Sequence, residues 1–119
     1  MHRKTRLIDN VLFMGYGNSG FEQRDKGFEK WANSELAKHS KELREARKTV
    51  LFTHGPPHST RLDQIGKEHT GSWSIAVFLK KLKPDLYVCG HFHENFGKRQ
   101  RMGKTLMLNP GPKGEIIRV

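Results

Sequence analysis

The sequence predicts an α/β fold, and three observations carry the prediction. In the first two thirds of the chain, short runs of β-branched and aromatic residues alternate with stretches whose apolar residues recur at helical spacing. The last third reads as consecutive strands. Two polar, His-bearing loops each follow the carboxyl end of a β run, which is where ligands bind in open α/β sheets. The order strand, helix, strand, helix, strand, hairpin, strand implies a mixed sheet with an antiparallel edge, flanked by helices. At 119 residues the chain can hold one core but not two, so 1–119 reads as a single domain or part of one.

Residues 6–14 read as the first strand, with Val11, Leu12 and Phe13 as its buried run, and GYGNSG at 15–20 as a loop. Residues 22–48 read as one long helix. Phe28, Ala32, Leu36, Leu43 and Ala46 recur along it, Glu22 and Lys26 make a supporting pair, and Arg44, Arg47 and Lys48 suit its negative end. TVLFT at 49–53 is a buried strand, and Pro56 and Pro57 prevent its continuation. After a polar loop over 58–71, a helix spans 72–83. Ser72 or Ser74 caps it, Ile75, Phe78, Leu79 and Leu82 form its apolar face, and Pro84 closes it. DLYVC at 85–89 is the next strand; 95–101 and 104–109 pair around Met102-Gly103; NPGPKG is a turn cluster and 115–119 the last strand. Phe28, Trp31, Trp73, Phe78 and the small Cys89 are expected in the core.

Lys and Arg number 22 against 12 Asp and Glu, a net charge of +10. Such a field attracts phosphates, nucleic acids or acidic surfaces, although a merely solvated basic face gives the same count. Lys98, Arg99, Arg101 and Lys104 flank the predicted hairpin turn, where they either meet a nucleic-acid backbone or guard a sheet edge. The single Cys excludes an internal disulfide and fits a cytoplasmic setting. No apolar run has the length of a membrane span or a signal peptide.

Seven His is a high count. His2 and His39 sit in basic terminal or helical contexts and read as surface residues. His91 and His93 lie two apart just past a strand, so an extended chain holds them on one side with Cα atoms roughly 6.5–7 Å apart. Imidazoles so placed reach one metal ion, or two close together. Gly90 would let the backbone turn with no Cβ in the way, and Glu94 could orient a ligand. His54 also ends a β run and opens a loop rich in Gly and Pro. If the two strands are parallel neighbours, His54, His91 and His93 converge on one cleft as a transition-metal donor set. The bland alternative makes His54 a turn residue and the other two solvated. His58 and His69 would line the same cleft, touching a phosphate or simply bonding loop backbone. Asn109 is a turn former that could support the site.

THGPPHSTRLD at 53–63, CGHFHE at 89–94 and NPGP at 109–112 resemble the carboxyl-terminal half of the calcineurin-like metallophosphoesterases. The fit is to their small prokaryotic members and to the branch with a THxPP loop. MHRKTRLIDNVLFMGYGNSG resembles the segment that leads into a strand and a Gly-rich loop. The resemblance implies half of a four-layer α/β/β/α sandwich, with this chain supplying mainly one sheet and its helices. It implies hydrolysis of phosphomono- or diesters at a dinuclear centre of Mn, Fe, Zn or Ni, with His54 and His91 on one metal and His93 on the other. The family's DxH, GDxxD and GNHD or GNHE motifs are absent: the Asp residues are Asp9, Asp25, Asp63 and Asp85, and Ser19 stands where GNSG would need a His. Three neutral imidazoles without a bridging carboxylate hold one ion at best. Hydrolysis is therefore expected only when a second chain or a missing N-terminal segment completes the site. A competing expectation is a non-catalytic relative that binds phosphate-rich partners, nucleic acid included, through its charge. Half a sandwich also bares an apolar sheet face, so a homo-oligomer or a missing partner segment is expected to cover it.

Overall fold

Four parallel strands form the centre of the molecule, and their composition explains why. The computed structural model describes residues 2–17, 23–90 and 95–111. Strands β2 (Val11–Tyr16), β3 (Lys48–Thr53), β6 (Leu86–Val88) and β8 (Thr105–Leu108) lie side by side and parallel. Each is apolar on both faces, as a strand buried on both sides must be. Antiparallel strands β1 (Lys4–Ile8) and β7 (Arg99–Met102) close the two edges, giving the order β1-β2-β3-β6-β8-β7. The predicted mixed sheet is present, with an antiparallel strand at both edges instead of one.

The expected strand over 6–14 is instead the hairpin β1–β2. Asp9 and Asn10 make its two-residue turn with φ of 50° and 64°. Both residues tolerate the left-handed region, and a turn of that hand matches the twist of the strands it joins. The flanking apolar residues disguised the turn as one continuous run.

The expected helix over 22–48 is two helices. Helix α1 (Lys26–Lys38) starts at Asp25, whose carboxylate accepts the Phe28 N–H, and ends at His39. Helix α2 (Ser40–Glu45) is a single further stretch. His39 leaves helical geometry at φ −111°, ψ 27°, and its ring pairs with Glu35 at 2.9 Å, so it is half-buried instead of lying on the open surface. Residue 22 and its pairing with Lys26 lie outside the described residues. Helix α3 (Trp73–Leu82) is capped by Ser72, which accepts the Ile75 N–H, and stops at Lys83 in the left-handed region just before Pro84. Between β3 and α3, the two-residue strands β4 (Gln64–Ile65) and β5 (Glu68–His69) fold the loop back on itself around Gly66. The β7–β8 hairpin turns at Gly103, near its expected place, but β7 starts four residues late. The strand expected at 115–119 lies outside the described residues.

The helices cover one face of the sheet. Met14, Leu51, Tyr87 and Met107 pack there against Phe28 and Ala32 of α1 and Ile75, Phe78 and Leu79 of α3. Phe28 sits edge-on to Tyr16 and Phe78, at 5.2 and 5.5 Å between ring centres. Ser74 joins the two helix starts: its hydroxyl accepts the Asp25 N–H and donates to Glu29, and that bond holds the Glu29 carboxyl below its ordinary pKa. Trp31 is half-buried against this core, but Trp73 is 51% exposed. Ile75, Phe78 and Leu79 take the inward face of α3, leaving its first residue outside. On the other face, Val11, Val50, Leu86 and Leu108 form a second apolar cluster with half-buried Phe13, Phe52, Val88 and Leu106. Among the described residues that cluster is built from sheet side chains alone.

Replacing Asn10 with Val should destabilise the chain by about 1–2 kcal/mol, because a β-branched residue resists the left-handed region. Asn10→Gly should be neutral or stabilising. Urea titration of the two variants against the parent checks the pair.

Candidate functional site

The carboxyl ends of β2, β3 and β6 meet at His54. Its N–H donates to the Tyr16 carbonyl at 3.3 Å, and its own carbonyl accepts the Gly90 N–H at 2.8 Å. The two strands that carry the histidine motifs are thus parallel neighbours, as the sequence argument required, and one hydrogen bond joins their ends. The turn is held from beneath as well. Thr53 and Tyr87 both donate hydroxyl protons to the Gly55 carbonyl, and the two hydroxyls also touch each other. Burial drives the Tyr87 hydroxyl well above its ordinary pKa, so it remains a donor. The His54 side chain stands exposed above this clamp.

The loop that follows is organised around Asp63, which is fully buried. One carboxylate oxygen accepts the Thr60 N–H at 3.0 Å and His69 Nδ1 at 2.6 Å. The other accepts the Ser59 N–H at 3.1 Å and the Gly71 N–H at 3.0 Å. A buried carboxylate requires this kind of compensation. Gly71 fits because it has no side chain: a Cβ there would lie 2.6 Å from the Pro56 carbonyl oxygen and 2.7 Å from the Asp63 Cβ. The Ser72 N–H donates to the Pro56 carbonyl and the His58 N–H to the Ser72 carbonyl, both at 2.9 Å, so the ends of the loop are stitched together. His58 and His69 end up as neighbours, with ring centres 5.9 Å apart.

His91, His93 and Glu94 lie outside the described residues. Among the described residues, no three His, Cys, Asp or Glu side chains form a metal-binding group. Gly90 accompanies His54, but not for the predicted reason: its φ is not positive, and a Cβ there would stand an ordinary 3.6 Å from the His54 carbonyl. Asn109 is fully buried, donates its N–H to Lys98, accepts from Gly97, and takes the Gly111 N–H on its carboxamide. Two residues escaped the sequence reading. Asp63 gave no signal beyond its place in STRLD. Asn95, fully buried and directly following HFHE in the sequence, donates to the Leu62 and Gln64 carbonyls and so ties its own backbone to the Asp63 loop. Its Oδ1 has no partner among the described residues.

Comparison with known proteins fits this geometry. The sequence profile described as metallophosphoesterase, calcineurin superfamily, matches residues 17–115, and the chain belongs to that family. A UPF0046 protein of Caenorhabditis elegans is 31% identical over 106 residues, which are 89% of this chain and 35% of that protein. The solved structure of TT1561 from Thermus thermophilus superposes with a TM-score of 0.65 at 17% identity, covering 92% of this chain and 48% of that one. A second solved chain gives 0.69 at 22% identity, with coverage of 93% and 45%. These two likenesses establish the fold. The chain spans about a third of the curated relative and under half of each solved structure.

Gly71→Ala should cost about 1–3 kcal/mol of stability, since a methyl group there forces either Pro56 or Asp63 to move; denaturant unfolding measures the loss. Burial pushes the Cys89 thiol from 9.0 up to about 12. Between those values the folded chain binds a proton that the unfolded chain has released, so this thiol makes stability fall as pH rises from about 9 towards 12. Cys89→Ser should lessen that fall. Thiol-directed reagents at pH 8 should label Cys89 only as the chain unfolds.

Proposed function

We propose that this chain is the carboxyl-terminal part of a metal-dependent phosphoesterase. His54 and His91 hold one divalent transition ion, and His93 contributes to a second position. One observation carries the reading: the 2.8 Å bond from the Gly90 N–H to the His54 carbonyl, which brings the start of THGPP and the start of GHFHE to the same end of the sheet. The donor chemistry fits such an ion, because imidazole suits Fe, Zn and Ni. The local structure supports it too. His54 is exposed above the clamp, and Asn95 Oδ1, unpartnered among the described residues and one residue past HFHE in the sequence, is an acceptor suited to an imidazole N–H.

A bound divalent ion would supply positive charge that polarises a phosphoryl oxygen. The chain's own residues do the rest of this half of the site. The Thr53–Tyr87–Gly55 clamp fixes the backbone on either side of His54, so binding has only the imidazole side chain to order. The net charge of +10 draws phosphate-bearing substrates towards the protein. Neither Asp63 nor Asp85 is available as a ligand, since Asp63 already serves four donors and Asp85 is engaged with the Thr49 N–H and Lys104 at the amino end of the sheet, so further carboxylate ligands are expected from outside this chain. The apolar second face of the sheet supports the same reading, since a sheet covered on one side accepts another layer. We take the chain as one part of a domain whose other part brings that layer and the missing ligands.

His54→Ala should weaken Mn²⁺ binding about tenfold or more, measured by calorimetry, without loss of fold by circular dichroism. Hydrolysis of bis(p-nitrophenyl) phosphate should appear in Mn²⁺ once a segment carrying the absent carboxylate motifs is co-expressed, and should vanish again with His54→Ala. Unchanged metal affinity in His54→Ala would refute the assignment. Tight, salt-sensitive binding of RNA with no hydrolysis in the completed protein would favour the non-catalytic alternative.

A further inference from the structure

We propose that His58 and His69 form a second transition-metal site, separate from the one built on His54. The starting point is the carboxyl group of Asp63. Three backbone N–H groups and the His69 ring surround it, so it acts only as an acceptor, and the proton of His69 lies on Nδ1. In the neutral ring Nε2 of His69 then carries the lone pair. A carboxylate behind an imidazole is the arrangement that orients histidine ligands and raises their basicity. His58 Nδ1 stands 2.7 Å from the Ser59 hydroxyl, which in accepting the ring proton leaves the lone pair of that ring on Nε2. On both rings Nδ1 is engaged with the protein, which leaves Nε2 for a ligand.

The spacing suits a shared ion. With metal–nitrogen bonds of about 2.0–2.1 Å, two imidazoles on one tetrahedral or distorted ion hold their ring centres about 5–6 Å apart. Here the centres are 5.9 Å apart with the rings inclined at 53°. Both side chains are partly exposed, so an ion can reach them and water can complete the shell. The support is rigid: the His58 N–H is bonded to Ser72, His69 pairs with Gln64, and Asp63 binds both arms of the loop. Two protein ligands and no ligating carboxylate favour a borderline ion such as Zn²⁺ over Mg²⁺ or Ca²⁺. The proposal does not depend on the hydrolytic reading.

Zn²⁺ titration of the ¹⁵N-labelled chain, followed through the imidazole nitrogens, tests it. The Nε2 signals of His58 and His69 should move together and saturate at one ion for the pair. His58→Gln or His69→Gln, each at a partly exposed position, should abolish the movement of the remaining ring. Asp63→Asn, where it folds, should weaken the site about 10- to 100-fold. His54→Ala should leave both signals responding to zinc, so a failure of the hydrolytic assignment is seen separately. The proposal is overturned if the two signals are silent at millimolar Zn²⁺. It is overturned equally if either ring responds unchanged without the other, or if the response disappears in His54→Ala.

Discussion

The parallel pairing of β3 with β6 is the constraint on which the site depends. Val50, Leu51 and Phe52 face Leu86, Tyr87 and Val88 in register. A shift of one residue would exchange the two faces of the sheet and turn Tyr87 away from Gly55. In the observed register the strands finish together, and one backbone bond passes directly from Gly90 to His54. The chemistry of the loops is thereby fixed by packing beneath them. Leu51 and Tyr87 are fully buried under the helices, so neither strand can slide without exposing them.

A second constraint is electrostatic. Burying Asp63 without compensation would cost far more than a chain of this size can spare. Four donors converge to compensate it, and three of them are backbone groups from two separate arms of the loop. This is how nearly twenty residues between β3 and α3 become an ordered platform with only two-residue strands inside it. The same carboxylate leaves His69 a defined tautomer. Structure and reactivity in this loop come from one group.

Much of the fold was legible in the sequence. The helix over 72–83 was visible because Ser72, four spaced apolar residues and Pro84 all agree, and the structure starts and stops it within a residue of those limits. β3 and β6 were visible as short apolar runs. Asp9-Asn10 was missed because its turn chemistry is carried by side chains that sit among apolar neighbours. The break at His39 was missed because the helical pattern of apolar residues continues across it, with Leu43 on the far side, while the contact of the His39 ring with Glu35 leaves no mark in that pattern. Trp73 was misplaced because hydrophobicity alone does not tell which side of a helix a residue takes. At the site, the neighbouring of His54 and Gly90 could be anticipated from the alternation of strands and helices. Asp63 and Asn95 could not, since their importance lies in contacts to backbone groups distant in sequence, which no side-chain pattern records.

The edges of the sheet carry a further meaning. On β1 the residues opposite Gly15 and Phe13 are Lys4 and Arg6, and on β7 those opposite Leu108 and Leu106 are Arg99 and Arg101. Directly paired residues share a face, so these four cations frame the second apolar cluster from both sides. An approaching copy that tried to extend the sheet sideways would bring like charges into register at every second residue, which discourages fibril growth. An incoming layer with acidic margins would find the opposite. The border of that face thus carries one sign of charge along both of its long sides.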